Sequence, residues 1–482
     1  MKGVLPLSKS ALAQELPEET IEPNAQKQPK PKIQLPDGLD GRTMDKEILR
    51  LAWPSVAELV LTSLSGMVDM IMVGQLGPWA LSAVGLNTQP RFLLLAIFVA
   101  MNTGATALIA RSKGAGDREL ANKTMRQAMM LTVGMSVVIA ALGLAFAEPI
   151  IWFMGAQADT IGPGTDYFRV QCYGLLATTL SLAITAALRG AGNTRASMRY
   201  NLTANVLNVI LNYCLIYGNF GCPRMEVAGA SLATILGSAA ASGMALFTLL
   251  RGKQYVCLRW GDSFMPDWGN IKRIVKIGLP AMFEQLVMRV GMITFTKQVS
   301  SLGTIGFATH NICQNILQLT LMNGQAFGIA ATTLVGQSLG RREPDVGQAY
   351  ALRTSRWGMI ISAAIALSFF FFGEFLVGLY TDDPQILQTG ANVMKIIAII
   401  QPFQSSQLVL TGALRGAGDT KSTARIIFVT MVCIRPLMAV VFMNLCGWGL
   451  YGAWSAVFCD QLLRQYLVRR HFKKGSWKMI KV

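Results

Sequence analysis

Twelve stretches of about twenty mostly apolar residues divide this 482-residue chain. They lie near 51–73, 83–106, 127–147, 167–188, 198–218, 227–249, 275–296, 308–332, 356–377, 392–413, 425–445 and 449–468. A helix needs roughly 20 apolar residues to cross the ~30 Å hydrocarbon core of a bilayer. Backbone polar groups in lipid must be satisfied within the segment, so runs of this length predict helices. With 52% hydrophobic and only 14% charged residues, against about 25% charged in soluble domains, the chain lacks the polar surface to cover itself in water. The fold class is therefore an all-α polytopic membrane protein with twelve transmembrane helices. Two histidines and eight scattered cysteines without a CxxC pair argue against a zinc site, a haem attachment or a disulfide scaffold.

Forty-three Lys and Arg against 26 Asp and Glu leave a net charge of +17. In a soluble protein that excess would suggest nucleic acid, but its position argues otherwise. Basic residues gather after every even-numbered span: Arg111, Lys113 and Arg118; Arg189, Arg195 and Arg199; Arg251 to Lys276; Arg341, Arg342 and Arg353; Arg415, Lys421 and Arg425; and Arg469, Arg470, Lys473 and Lys474. The intervening loops are acidic or nearly neutral. By the positive-inside rule both termini are cytoplasmic, in an inner or plasma membrane, and no nucleic-acid partner is expected. Residues 1–47 read as a disordered cytoplasmic tail, since they are polar and lack the apolar core of a cleaved signal. The remaining boundaries are an amino-terminal six-helix lobe at 48–249, a cytoplasmic linker at 250–274, a carboxy-terminal six-helix lobe at 275–470 and a basic tail at 471–482.

An internal repeat supports the division into lobes. Leu188-Arg189-Gly190-Ala191-Gly192-Asn193-Thr194 recurs as Leu414-Arg415-Gly416-Ala417-Gly418-Asp419-Thr420, an offset of 226. The same offset relates Pro54 to Pro280, Glu58 to Glu284, Ser112 to Ser338 and Gly114 to Gly340. Six spans per half insert both halves the same way up, so a pseudo-two-fold along the membrane normal should relate them, with a shared site between. The Gly-rich turn resembles a phosphate loop only superficially: no strand or GxxxxGK[ST] pattern accompanies it, and a tight helix-to-helix turn explains it.

Where the halves differ, function is expected. Asp69 has Phe295 as its repeat position. Asn201, Asn205, Asn208 and Asn212 stand on one helix face, where the second half has Ile427, Met431, Ile434 and Met438. Ionisable groups at membrane depth are costly and mark functional sites. Asp69 with Asn205, Asn208 and Asn212 is thus the candidate cation-coupling site, able to hold a proton or to offer oxygens to Na⁺; helix–helix bonding is the alternative for the amides. Glu58, Glu284, Gln89, Asn315 and Arg289 are candidates for a substrate cleft. The two glutamates could instead form a structural pair bonding Gln89 and Asn315, and Arg289 and Arg435 could each neutralise a carboxylate such as Glu284. Lone His310 reads as a polar residue near a span end. No catalytic constellation and no nucleotide-binding module is present, so neither an enzyme nor ATP-driven transport is expected.

Six-plus-six spans, Pro54 followed by Asp69, Met72-Val73-Gly74-Gln75-Leu76-Gly77, the repeated LRGAG turn and the Asn208–Asn212 stretch together resemble the multidrug and toxic compound extrusion (MATE) family, prokaryotic DinF-like type. The resemblance covers about 48 to 470. It implies an outward-open V of two lobes and export of cationic or amphipathic organic compounds in exchange for H⁺ or Na⁺ by a monomer, with no cofactor and the bilayer as surroundings. Asp69 matches the family's first-helix aspartate and Asn208 an amide of its network. Asn212 stands where many relatives have an aspartate, which favours H⁺ over Na⁺. The tenth span lacks an acid, so the carboxy-lobe Na⁺ site of the NorM-like branch is incomplete here. A flippase for a lipid-linked saccharide is the alternative function.

Overall fold

The computed structural model describes residues 40–259 and 261–480. Each expected crossing is helical, and most helices outrun their apolar stretch at one or both ends. The first half comprises α1 (Gly41–Gly74), α2 (Pro78–Gly114), α3 (Arg118–Ala145), α4 (Ile161–Tyr173 and Leu175–Gly190, bent by 49°), α5 (Thr194–Tyr217) and α6 (Glu226–Leu250). The second half comprises α7 (Trp268–Ser300), α8 (Gly303–Gly340), α9 (Pro344–Gly378), α10 (Pro384–Gly416), α11 (Thr420–Leu445) and α12 (Gly449–Lys474). A short helix, Ala147–Phe153, links α3 to α4. Among the described residues seven helices are apolar and long enough to cross a membrane, eight with bent α4 counted as one crossing. The other four carry more polar residues, such as the asparagines of α5 and the Asp460–Arg464 pair of α12.

Local sequence explains the helix ends. In the repeated turn, Gly192 and Gly418 sit at φ +78° and +84°, a left-handed conformation that favours glycine. The next residue then caps the following helix: Asn193 accepts from the Ala196 N–H and Asp419 from the Ser422 N–H. In α11, π-helical turns at Val429–Ile434 and Val441–Leu445 flank Pro436. Proline has no N–H to donate and its ring crowds the preceding turn; a widened turn accommodates it.

The repeat holds at the level of single contacts. Thr106 Oγ1 donates to the Ala186 carbonyl, and its counterpart Thr332 donates to the Gly412 carbonyl. Apolar packing joins the halves at the end bearing the basic loops. There Met44, Ile48 and Leu51 of α1 share a core with Leu334 of α8 and Leu410 of α10, and Ala105 and Leu108 of α2 meet Ile274 and Ile277 of α7. At the opposite end, the buried clusters each belong to one half. Helices α2 and α8 cross on the pseudo-two-fold, where a Cβ on Gly114 would lie 1.9 Å from the Gln337 carbonyl oxygen and one on Gly340 would lie 2.0 Å from that of Arg111.

Two expected boundaries change. The tail assigned to 1–47 lies outside the described residues up to 39, but Gly41 to Glu47 already form the first turns of α1. They are helical because tertiary contacts hold them: Arg353 donates two hydrogen bonds to Asp45 (2.6 and 2.7 Å), Trp357 Nε1 a third (2.7 Å), and Tyr350 donates to Glu47. The linker is also shorter than 250–274, since α7 starts at Trp268 under an Asp267 cap. The basic stretch after 470 packs back, with Trp477 buried and stacked on Phe472 at 4.8 Å.

Candidate functional site

Helices α1 and α5 run parallel, so residues that face each other keep a constant separation. Four polar rungs do so at 143 residues. Asn201 donates to Glu58 (2.6 Å), Asn205 to Thr62 (3.1 Å), Asn208 meets Ser65 (3.3 Å) and Asn212 donates to Asp69. With the Asn208 amide oriented as its neighbours require, its nitrogen also donates to Asp69 Oδ1 at 2.8 Å, and its oxygen accepts from Thr234 Oγ1 at 3.2 Å. Asp69 is half-buried and receives two carboxamide donors, while Asn212 Oδ1 is buried without a partner. The structure thus brings Asp69, Asn208 and Asn212 into contact and sets Asn205 one rung away.

These rungs border a cavity of about 400 Å³ inside the first half. Asp69, Thr62, Ser65, Asn205 and Asn208 line it, facing Arg91 of α2 and hydroxyls from α4 and α6. Such a space is large enough for several water molecules, each with about 30 Å³ of liquid volume. In the second half the same helix faces are apolar: Val287, Ile427 and Met431 form a buried cluster with Met288 against it.

The cleft residues fare differently. Glu58 and Glu284 do not line a cleft; they are 5% and 0% exposed. Each is held by the arginine of the repeated turn, Arg189 for Glu58 and Arg415 for Glu284. Ser197 Oγ donates to Glu58 (3.1 Å), and Thr423, its repeat counterpart, donates to Glu284 (2.9 Å). Burial demands this arrangement, because an uncompensated buried charge costs several kcal/mol. The expected amide partners, Gln89 and Asn315, are not involved; Gln89 is half-buried and Asn315 exposed. Arg289 does not reach Glu284. Its guanidinium lies over the Phe92 ring, 3.3 Å from the centroid, a cation–π contact between the two halves.

Sequence reasoning missed the carboxylate that Arg435 does neutralise. Asp460, fully buried in α12, accepts from Arg435 (2.9 and 2.5 Å) and from Arg464 one turn on (2.7 and 2.9 Å). The signal was an acid and a base four residues apart inside an apolar span. His310 is also buried, packed between Phe295 and Trp454 at centroid distances of 5.7 and 5.4 Å. Arg91 was equally overlooked. Among the described residues no group of three or more His, Cys, Asp or Glu side chains could hold a metal ion.

Twin helical halves in a membrane, with a carboxylate facing a cavity in the first of them, are the arrangement of a polytopic membrane transporter. The MatE family profile matches residues 54–214 and again 280–441, so its two matches begin at the repeat-related prolines. The chain is 31% identical over 437 residues to a probable multidrug resistance protein NorM of Thermotoga maritima, covering 90% of this chain and 93% of that one. It is 30% identical over 410 residues to the multidrug resistance protein PmpM of Pseudomonas aeruginosa, covering 82% and 83%. Among solved structures, a MATE in the bent conformation superposes with a TM-score of 0.83 at 22% identity, covering 90% of this chain and 96% of that one. An outward-facing multidrug resistance MATE transporter does so with 0.83 at 22% identity, covering 90% and 97%. The chain belongs to the MatE family of membrane transporters.

Proposed function

We propose that the protein is a secondary antiporter that exports cationic or amphipathic organic compounds in exchange for a cation. The observation that carries this reading is Asp69, a carboxylate held by two carboxamides at the edge of a cavity within one lobe. Cation occupancy of Asp69 would compete with substrate for the same polar space, which is what exchange requires. Drug export agrees with the names of the relatives, a probable multidrug resistance protein of Thermotoga maritima and a multidrug resistance protein of Pseudomonas aeruginosa.

H⁺ is the favoured coupling ion. Among the described residues Asp69 is the sole carboxylate lining the cavity, and one carboxylate suffices to carry a proton. The unpartnered Asn212 Oδ1 beside it supports the second reading, in which Na⁺ is held by Asp69 and neutral oxygens. Apolar packing that joins the halves at the basic-loop end supports alternating access with that end closed and cytoplasmic, the lobes rocking about the α2–α8 crossing. The flippase reading has less support, because Asp460 neutralises Arg435 within the membrane-spanning helices.

The test is efflux of ethidium from reconstituted vesicles under separately imposed proton and sodium gradients. Wild type should transport under ΔpH, and Asp69→Asn should fall to the protein-free rate. Transport driven only by a sodium gradient would move the coupling to Na⁺. No transport under either gradient by correctly inserted protein would sink the antiporter reading.

A further inference from the structure

The amino lobe has a second cavity, of about 310 Å³, at its basic-loop end and away from Asp69. Arg50 of α1, Lys113 of α2, the turn from Leu188 to Arg195, and Gln254 and Tyr255 after α6 enclose it. Among the described residues no carboxylate lines it. Among the described residues, Arg50, Lys113 and Arg195 have no carboxylate within salt-bridge distance. Three cations collected in a concavity without a counter-charge repel one another, so the site is short of an anion.

The uncharged groups around it are donors as well. Helix α5, 24 residues long, begins at Thr194 on the cavity wall. The Ala196 N–H is taken by Asn193 Oδ1 at 3.1 Å, whereas the other amides of a first turn have no acceptor within the helix. The positive end of the helix dipole adds to the field there. Two hydroxyls lack any hydrogen-bond partner although buried: Thr194 Oγ1, on a residue 1% exposed, and Tyr255 Oη. Lys113 is drawn over the turn, donating to the Ala191 carbonyl, and its Nζ lies 5.5 Å from the Tyr255 ring centroid. A Cβ at Gly192 would stand 3.3 Å from that Nζ, so the glycine lets the lysine close over the turn.

The carboxy lobe lacks the arrangement. Leu339 replaces Lys113 and Asp419 replaces Asn193 at the repeat positions, and the Asp419 carboxylate is already paired with His471 at 2.6 Å. The cationic cavity is therefore a feature of one lobe, not a by-product of the turn.

We propose that this cavity binds a phosphate group, carried either by an anionic phospholipid headgroup or by a free phosphorylated solute. A tetrahedral oxyanion accepts from guanidinium, ammonium, hydroxyl and backbone N–H together, and the volume exceeds what a lone halide fills. The occupant would bridge α1, α2, the α4–α5 turn and the segment between the lobes.

Two arms test it on the full-length purified protein. Inorganic phosphate is titrated at constant ionic strength against chloride, reading calorimetric binding and the thermal midpoint. Separately, protein from bilayer discs of mixed phosphatidylglycerol and phosphatidylcholine is examined by native mass spectrometry for retained phosphatidylglycerol. Saturable phosphate binding assigns a solute; retained phosphatidylglycerol without phosphate binding assigns a headgroup. Either should weaken at least tenfold in the Arg50→Gln/Arg195→Gln double variant and persist in Lys421→Gln, the repeat position of Arg195. If the double variant does not fold, Thr194→Ala must still weaken binding several-fold. Neither ligand bound by wild type, equal loss in Lys421→Gln, or unchanged binding in Thr194→Ala would each overturn the proposal.

Discussion

The carboxylates deep in this protein divide into those that an arginine neutralises and Asp69, which amides hold at a cavity wall. Glu58, Glu284 and Asp460 each meet an arginine, and removing such a charge from a buried pair costs about 3–5 kcal/mol because the partner is stranded. Asp460 balances two guanidiniums, so Asp460→Asn should cost the most. We expect it to lower the thermal midpoint in detergent further than Glu58→Gln, which keeps Ser197 and Asn201 beside Arg189. Equal effects of the two substitutions would remove the argument from charge balance. Asp69 differs in accepting from amides rather than pairing with a guanidinium; Asp69→Asn should therefore leave the folding stability within about 1 kcal/mol of wild type while abolishing coupled efflux. Periodicity made the asparagine face legible, and comparison of the repeats singled out Asp69. The partners of the glutamates were not legible, although the arginines were in plain view: their pairing depends on how the α4–α5 and α10–α11 turns fold back over α1 and α7.

Between elements, the contacts that matter are those where two helices approach closely. Gly114 and Gly340 sit where α2 and α8 cross, each against the other's backbone. Gly114→Leu must push these helices apart, and overpacking of this kind costs about 1–3 kcal/mol. The expected result is a longer distance between spin labels on the basic-loop ends of α2 and α8, with ethidium efflux reduced at least tenfold. An unchanged distance would show that the crossing does not hold the lobes together. The repeat placed both glycines in register but said nothing of which helix each would meet. Likewise, the apolar run at 425–445 predicts a helix, yet its π-helical turns follow from accommodating Pro436 and from burying Arg435 against Asp460.

At the scale of the whole molecule, the first turns of α1 belong to the carboxy lobe's surface although they precede the amino lobe in sequence. The Arg353 guanidinium, hydrogen-bonded to Asp45, holds that carboxyl below its usual range. A depressed carboxylate stabilises the fold at pH above its unfolded value of about 3.9, and the contribution disappears as pH falls through the lower folded value. Asp45→Asn should thus destabilise by about 1 kcal/mol near neutrality for a half-buried, bidentate pair, and its thermal midpoint should draw toward that of wild type as pH falls below about 4. Convergence at neutral pH would mean the pair contributes nothing. A polar composition before residue 48 concealed this attachment, since it depends on residues three hundred positions away.

Apolar length, basic-loop periodicity and the 226-residue repeat are local or one-dimensional properties. They determined by themselves that the chain is a twelve-helix membrane protein in two halves, with polar chemistry concentrated in the first. What those properties do not contain is which polar groups meet. In a low-dielectric interior every charge must find a partner, and the choice depends on helix crossings, turn direction and packing over long sequence separations. Tertiary structure alone decided that the glutamates close ion pairs, that Asp460 captures Arg435, that Asp69 borders a cavity, and that the lobes pack at one end.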